Sequence, residues 1–330
     1  MRALLLAGVI ALVAPQAVAQ TVFTSTPAVE RPPLQGQRSA RSDDGGLATP
    51  TGHQVDFSVS TYTYNEPSST SISIHGPKIG GEYAGTISLD KDRHWFAQAD
   101  VRGIAGGVTY DGWCSPFLIT PNSASPNGYA LDFGAPSPCS ETGDRDWYLE
   151  ARGLVGKDLI RKRWAFSPYA GLGVRHLSNG TTGTPGFRTD DYLYVPLGVT
   201  ARSRVASHGM LTLTFEYDHL LRGWQTTRNS ALGGGDVPAT ATAPAFTING
   251  ISDVSFDQHG GYALRASGKY QATRRWSVEP YYIYWNVDDS PVSYETATFT
   301  VNNVTAQQQM GFYEPFNVTH EFGVKLGFHF

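Results

Sequence analysis

The last ten residues, Glu321-Phe-Gly-Val-Lys-Leu-Gly-Phe-His-Phe330, alternate strictly. Phe322, Val324, Leu326, Phe328 and Phe330 fall on one parity, and Glu321, Gly323, Lys325, Gly327 and His329 on the other. A period of two over this length predicts a strand with one apolar face. The same alternation recurs upstream at 55–64, 78–89, 94–110, 146–156, 163–178, 191–203, 210–221, 261–270 and 275–285, and the final segment spans 318–330. The pattern predicts ten strands. The gaps between them follow a second rhythm. Those after strands two, four, six and eight are short (DKDR, KDLIRK, RVASHG, QATR), whereas the others are longer, the longest running from 222 to 260.

Short turns on one side and long loops on the other predict an all-β fold, a ten-stranded antiparallel transmembrane β-barrel, with eight and twelve as the alternative strand counts. A soluble sandwich accounts for the alternation and leaves the one-sided loop lengths unexplained. Parity sorts the faces. Trp95, Ala97, Ala99 and Val101, then Leu211, Leu213, Phe215 and Tyr217, then Tyr262, Leu264 and Ala266 point to lipid. The opposite parity carries Asp56, Glu82, Asp100, Glu150, Glu216, Asp218 and Glu279 against Arg102, Arg152, Arg175, Arg265, Lys269 and Lys325. A ten-stranded barrel is narrow enough for side chains to fill it. Nearly balanced charges inside it are therefore expected to pair, because an unpaired buried charge costs roughly 3–5 kcal/mol.

The remaining segments set the domain limits. MRALLLAGVIALVAPQAVAQ has one early base, an apolar run ended by Pro15, and small residues at 17–19, so residues 1–19 read as a signal peptide. Residues 20–53 are polar and Pro-rich and read as a disordered periplasmic tail, leaving 54–330 for the barrel. The two cysteines, Cys114 and Cys139, share one polar stretch of the second long loop, and in an oxidising compartment they are expected to form a disulfide. A net charge of −4 gives no footprint for nucleic acid. The 222–260 loop, rich in Gly, Ala and Thr, has two readings, a mobile loop or an inward-folding partial plug.

One stretch invites a catalytic reading. In Gly173-Val-Arg-His-Leu-Ser-Asn-Gly180 the histidine and serine share the parity of Trp164, Phe166, Ala170, Leu172 and Val174, so His176 and Ser178 face lipid at the outer end of strand five, and Arg175 faces inward. His176, Ser178, Asn179 and Gly180 resemble the His-x-Ser-Asn-Gly motif of outer-membrane phospholipase A and the His-x-Ser-Asn of lipid A deacylases. The resemblance implies Ser178 as nucleophile and His176 as general base. A polar residue downstream would orient the imidazole. Asp190 lies at the offset those families imply and has the lumen parity; Asp191 has the lipid-facing parity of Leu193, Val195 and Leu197. Calcium enters only under the phospholipase reading, and no other cofactor is expected. The chain departs from the phospholipase pattern at Val174, where that family has Tyr, and in the downstream run GFRTDDYLY. The structural alternative is a strand running into an Asn-Gly turn. A protease-like pair at Asp218-His219 fails at once, since adjacent strand residues point to opposite faces.

Over strands five to ten, PYAGLGVRHL, YLYVPLGV, FEYDHLLRGWQ, WSVEPYYIYW and THEFGVKLGFHF resemble a proteobacterial outer-membrane barrel family without a clear activity, and the final Phe330 resembles the terminal signature of such barrels. This implies a location in the outer membrane. The expected partners are outer-membrane lipids including lipopolysaccharide, the barrel-assembly machinery, and an extracellular ligand of unspecified chemistry. The leading expectation is a non-enzymatic surface barrel acting through its long loops in adhesion, binding or envelope integrity. A lipid-ester hydrolase is the second expectation and a narrow pore the third.

Overall fold

The computed structural model describes residues 46–67, 72–92, 94–180, 187–205, 209–232 and 234–330. The signal peptide and residues 20–45 of the expected tail lie outside them. In chain order the strands are β1 (Gly52–Glu66), β2 (Ile72–Ser88), β3 (Trp95–Cys114), β4 (Phe117–Pro121), β5 (Tyr129–Phe133), β6 (Ser137–Lys157), β7 (Leu159–Arg161), β8 (Trp164–Gly180), β9 (Phe187–Val205), β10 (Gly209–Arg228), β11 (Gly235–Val237), β12 (Phe246–Ile251), β13 (Val254–Gln258), β14 (Gly261–Gln271), β15 (Trp276–Val287), β16 (Ser293–Val301), β17 (Val304–Phe312) and β18 (Asn317–His329). Ten of them close a barrel in the order β1-β2-β3-β6-β8-β9-β10-β14-β15-β18, and β18 returns to pair antiparallel with β1, Gln54 opposite His329. Each of the ten predicted segments is one barrel strand. Several run further toward the long-loop end than their alternation indicated: β2 starts at Ile72, β6 at Ser137, and β10 continues to Arg228.

The wall follows the predicted parity. Phe57, Ile79, Val101, Leu172, Phe215 and Phe322 stand exposed on the outside. At the short-turn end Trp95, Trp164 and Trp276 join this apolar belt, and at the long-loop end Trp147 does. Apolar outer flanks bordered by aromatic rows are the surface a lipid bilayer solvates.

The inside is charged. Arg152 donates to Asp100 and Glu216, each at 2.7 Å, and Arg265 to Asp218 at 2.6 Å and Glu150 at 2.9 Å. Lys325 donates to Glu82 at 2.7 Å, and Lys78 pairs with Asp146. Glu321 accepts from Arg102 at 2.7 Å, Tyr148 at 2.7 Å and Tyr281 at 2.8 Å. Tyr192, Tyr194, Tyr281, Ile283 and Trp285 form a buried apolar cluster at this level, and Arg175 stacks its guanidinium 4.2 Å from the Tyr148 ring centre. Together these side chains reach across the lumen between strands that are not adjacent in the wall. Below them, toward the short turns, a cavity of about 540 Å³ remains, lined by Asp56, Glu82, Lys269, Glu279 and Lys325 among others.

Two segments depart from expectation. Residues 46–51, assigned by composition to a free tail, are docked at the short-turn end. Leu47 is buried, its carbonyl accepts from Arg202 Nε at 3.2 Å, and Thr49 donates to Asp158 from its backbone N at 2.6 Å and its hydroxyl at 2.8 Å. Arg202 also donates to Asp158 at 2.8 Å, so the segment closes an otherwise buried ion pair. The 222–260 loop is neither a formless loop nor a lumen plug. It supplies β11, β12 and β13; β13 extends the wall beside β10, while β11 and β12 join β16 and β17 in a separate four-stranded sheet. Composition missed both because each is held by partners distant in sequence.

Replacing Glu321 with Ala strips Arg102 of its carboxylate and two tyrosine hydroxyls of their acceptor. The expected loss is about 3–5 kcal/mol. It is read as a lowered denaturant midpoint of the detergent-folded barrel, with the lipid-facing substitution Phe322→Leu as a control that leaves the midpoint nearly unchanged.

Candidate functional site

At the rim, β8 and β9 pair with His176 opposite Asp191, Leu177 opposite Asp190 and Ser178 opposite Thr189. Because facing residues share a side of the sheet, His176, Asp191 and Ser178 all point outward and Asp190 points into the lumen. His176 Nδ1 lies 2.6 Å from Asp191 Oδ1, and both side chains are about two-fifths exposed, at 37% and 43%. Asp190 is buried inside and is not the imidazole's partner. Trp147, in register with Ser178 from the β6 side, sets its ring 5.3 Å from that of His176. The sequence reading missed this tryptophan, which only the β6–β8 register brings to the motif.

The serine is the weak member. Ser178 is only 3% exposed, between Trp147 and Thr189 in register. No hydrogen bond joins its hydroxyl to His176. The His–Asp pair has the geometry that fixes a tautomer, while the nucleophile–base contact that catalysis needs is unmade. Among the described residues no group of three or more His, Cys, Asp or Glu side chains is placed to hold a metal ion. Among the described residues around Ser178 the oxygen donors are a threonine and an aspartate already engaged by His176. This does not fit an oxygen-ligated calcium, which takes six to eight oxygens.

The long-loop end carries a second candidate, a folded platform. Ile119, Leu131, Phe246, Ile248, Ile251, Ala297, Phe299, Val301, Ala306 and Met310 form its core. Hairpin β4–β5 packs beneath the β11-β12-β16-β17 sheet, and Gln308 ties the two together: its Nε2 donates to the Leu131 carbonyl and its Oε1 accepts from the Leu131 amide, both at 2.8 Å. Cys114 and Cys139 are disulfide-bonded at the base of that hairpin, across the paired ends of β3 and β6. β16 turns into β17 through Asn302 and Asn303, with φ of 48° and 64°. This is the left-handed pair that a tight two-residue hairpin requires and that Asn tolerates. Glu295 faces the covered side, where burial pushes its carboxyl above the ordinary value against the lowering effect of the Asn229 hydrogen bond.

If the register buries the motif serine, a thiol at that position should be slow to react. Ser178→Cys is expected to resist a maleimide reagent on the folded protein, and the same thiol in a Trp147→Ala background to react several-fold faster. Equal, fast labelling in both would show an open nucleophile position.

No protein-family model matches the chain, and no curated protein matches it. Solved structures do. The outer membrane protease OmpT from Escherichia coli aligns at 13% identity over 86% of this chain and 98% of its own, with a TM-score of 0.43. The translocator domain of the autotransporter NalP from Neisseria meningitidis aligns at 12% identity over 87% and 91%, with a TM-score of 0.35. The toluene transporter TodX of Pseudomonas putida aligns at 9% identity over 88% and 93%, with a TM-score of 0.32.

Proposed function

We propose that this protein is an outer-membrane barrel that works by display: a closed, non-conducting wall holds a folded binding platform at the cell surface. The observation that carries this reading is the platform itself. Three long loops share one apolar core, beyond a lumen crossed by paired charges and a buried aromatic cluster. The apolar outer wall would sit in outer-membrane lipid, including lipopolysaccharide, with residues 46–51 and the short turns on the periplasmic side. β18, with its alternating lipid-facing Phe322, Val324 and Leu326, would be the part read by the barrel-assembly machinery. The crossing of the lumen by paired charges speaks against the pore, since open water channels belong to wider barrels.

A second reading, lipid-ester hydrolysis, is favoured by one observation, the 2.6 Å contact of His176 with Asp191 on the lipid-facing side. Ser178 Oγ would attack the ester carbonyl and pass its proton to His176 Nε2, while Asp191 holds the Nδ1 proton; the imidazolium would return that proton to the departing alkoxide, and water, deprotonated by the same imidazole, would release the acyl group as a carboxylate and restore the serine. Asp190 takes no part, being on the other face of the strand.

Three measurements on the intact chain decide between these readings. An epitope inserted between Asn302 and Asn303 is expected to bind antibody on whole cells. Purified protein in planar bilayers is expected to give no step-like conductance. Phospholipid and lipid A supplied in micelles, with and without calcium, are expected to be hydrolysed no faster by the wild type than by Ser178→Ala. Discrete conductance, or hydrolysis lost in that variant, overturns the display reading, and so does an epitope hidden on intact cells.

A further inference from the structure

The outer face of the platform has an unusual composition for a surface. Parity along β16 puts Glu295, Ala297, Phe299 and Val301 into the core, leaving Tyr294, Thr296, Thr298 and Thr300 outside. On β17 the residues outside are Thr305, Gln307, Gln309 and Gly311. Register aligns them in rows: Thr296 with Gln309, Thr298 with Gln307, and Thr300 with Thr305 and with Thr247 of β12. Between Ser293 and Phe312 the only carboxylate or base is Glu295, and it is 4% exposed. The rows therefore present partly exposed hydroxyls and exposed amides with no formal charge; Thr300 donates to Asn249 Oδ1 at 2.7 Å and lies 2.9 Å from the Thr305 hydroxyl, so Thr296, Thr298, Gln307 and Gln309 are the groups left for a ligand, and Asp236 stands at the margin, on the short edge strand β11, engaged by Thr247 at 2.7 Å.

One aromatic ring completes the face. Tyr294 is 67% exposed and sits opposite Gly311. A Cβ at Gly311 would come within 3.1 Å of Tyr294 Cε1 and 3.2 Å of Val292 Cγ1. The glycine lets the tyrosine ring lie down along the sheet, with its other side open to solvent.

From this face we infer a binding site for neutral polysaccharide. The inference rests on the display reading above and names what is displayed to. Three features select the ligand class. A phosphorylated or uronate polymer needs cations for charge-assisted hydrogen bonds, and the face has none. Thr hydroxyls and Gln amides each donate and accept, as sugar hydroxyls do, so the two surfaces can satisfy one another in either sense. Same-face side chains recur about every 6.8 Å along a strand and about 4.8 Å across strands, giving a regular flat array suited to a repeating polymer. The open side of Tyr294 offers the apolar plane on which the C–H face of a pyranose ring stacks, while the rows beside it set orientation. A membrane surface or an acidic glycan would be met by Arg and Lys, and these are absent from the rows.

The test uses the full chain in nanodiscs, titrated calorimetrically with oligomers of neutral α-glucan, β-glucan, galactan and N-acetylglucosamine, and with polygalacturonate as the charged counterpart. Saturable binding of at least one neutral series is expected, with no binding of polygalacturonate. Tyr294→Ala and Thr298→Glu, both on the exposed face and both checked for unchanged heat-modifiable migration, are expected to weaken binding at least tenfold. No saturable binding across the neutral set overturns the inference, as does binding that both variants leave intact or that polygalacturonate shares. Sedimentation of the wild type as a dimer that Thr298→Glu separates also overturns it, since a second copy would then cover the face. If the epitope is surface-exposed and the barrel neither conducts nor hydrolyses, yet no sugar binds, this inference alone fails; conductance or hydrolysis would fail the display reading itself.

Discussion

A charge on the inner wall of a barrel wrapped in lipid cannot turn outward, and packed among side chains it needs a partner of opposite sign; the interior of this protein is organised around that fact. Arg152 and Arg265 each reach carboxylates on neighbouring strands and across the lumen, and Glu216 is shared between them. Arg102 meets Glu321, bringing β3 and β18 together, and Lys325 meets Glu82 from β18 to β2. The pairs Arg102–Glu321, Lys325–Glu82, Arg152–Glu216 and Arg265–Glu150 join strands that are not adjacent in the wall. The network therefore works against sliding of one strand past another, because a slip of one residue would carry every such group to the lipid side. The crossed lumen follows from the same pairing, and so does the division of labour between an inert wall and an elaborated end.

Much of this was legible in the chain. Parity alone located all ten wall strands and told lipid-facing from lumen-facing residues, because a half-buried strand leaves a period-two trace. It also distinguished Asp191 from Asp190, since Asp191 falls in phase with Leu193, Val195 and Leu197. What it could not show was pairing. Glu321 and Lys78 complete the interior, yet each acquires its partner through register rather than through any local pattern. The platform was hidden for the same reason. The run ATATAPAFTING has no clean alternation, and β12 becomes a strand because β16, far along the chain, lies beside it. Residues 46–51 read as tail because Leu47 and Thr49 are ordinary residues until Arg202 and Asp158 are brought near.

The rim motif shows how a short sequence match and a structure divide the evidence. The match named a histidine, a serine and a downstream acid. The barrel supplies the histidine–acid contact on the expected side of the wall and places an indole beside the imidazole, tilted to it. It leaves the serine hydroxyl apart from the ring that would activate it. Asn179, the motif's next residue, turns inward and donates to Asp146 at 3.3 Å, serving the lumen network instead. Half of the motif is thus absorbed by the wall's own requirements.

The Gln308 clamp carries a consequence for how such proteins diversify. Surface loops of a barrel are ordinarily free to change one at a time, each answering only to its own strand ends. Here the loop between β3 and β6 contributes Ile119 and Leu131, the loop between β10 and β14 contributes Phe246 and Ile248, and the loop between β15 and β18 contributes Phe299 and Met310, all to one core. Exchanging any one of them bares apolar surface on the other two. The three loops fold as a set, and a graft that is meant to change what this protein meets at the surface must carry all of them together.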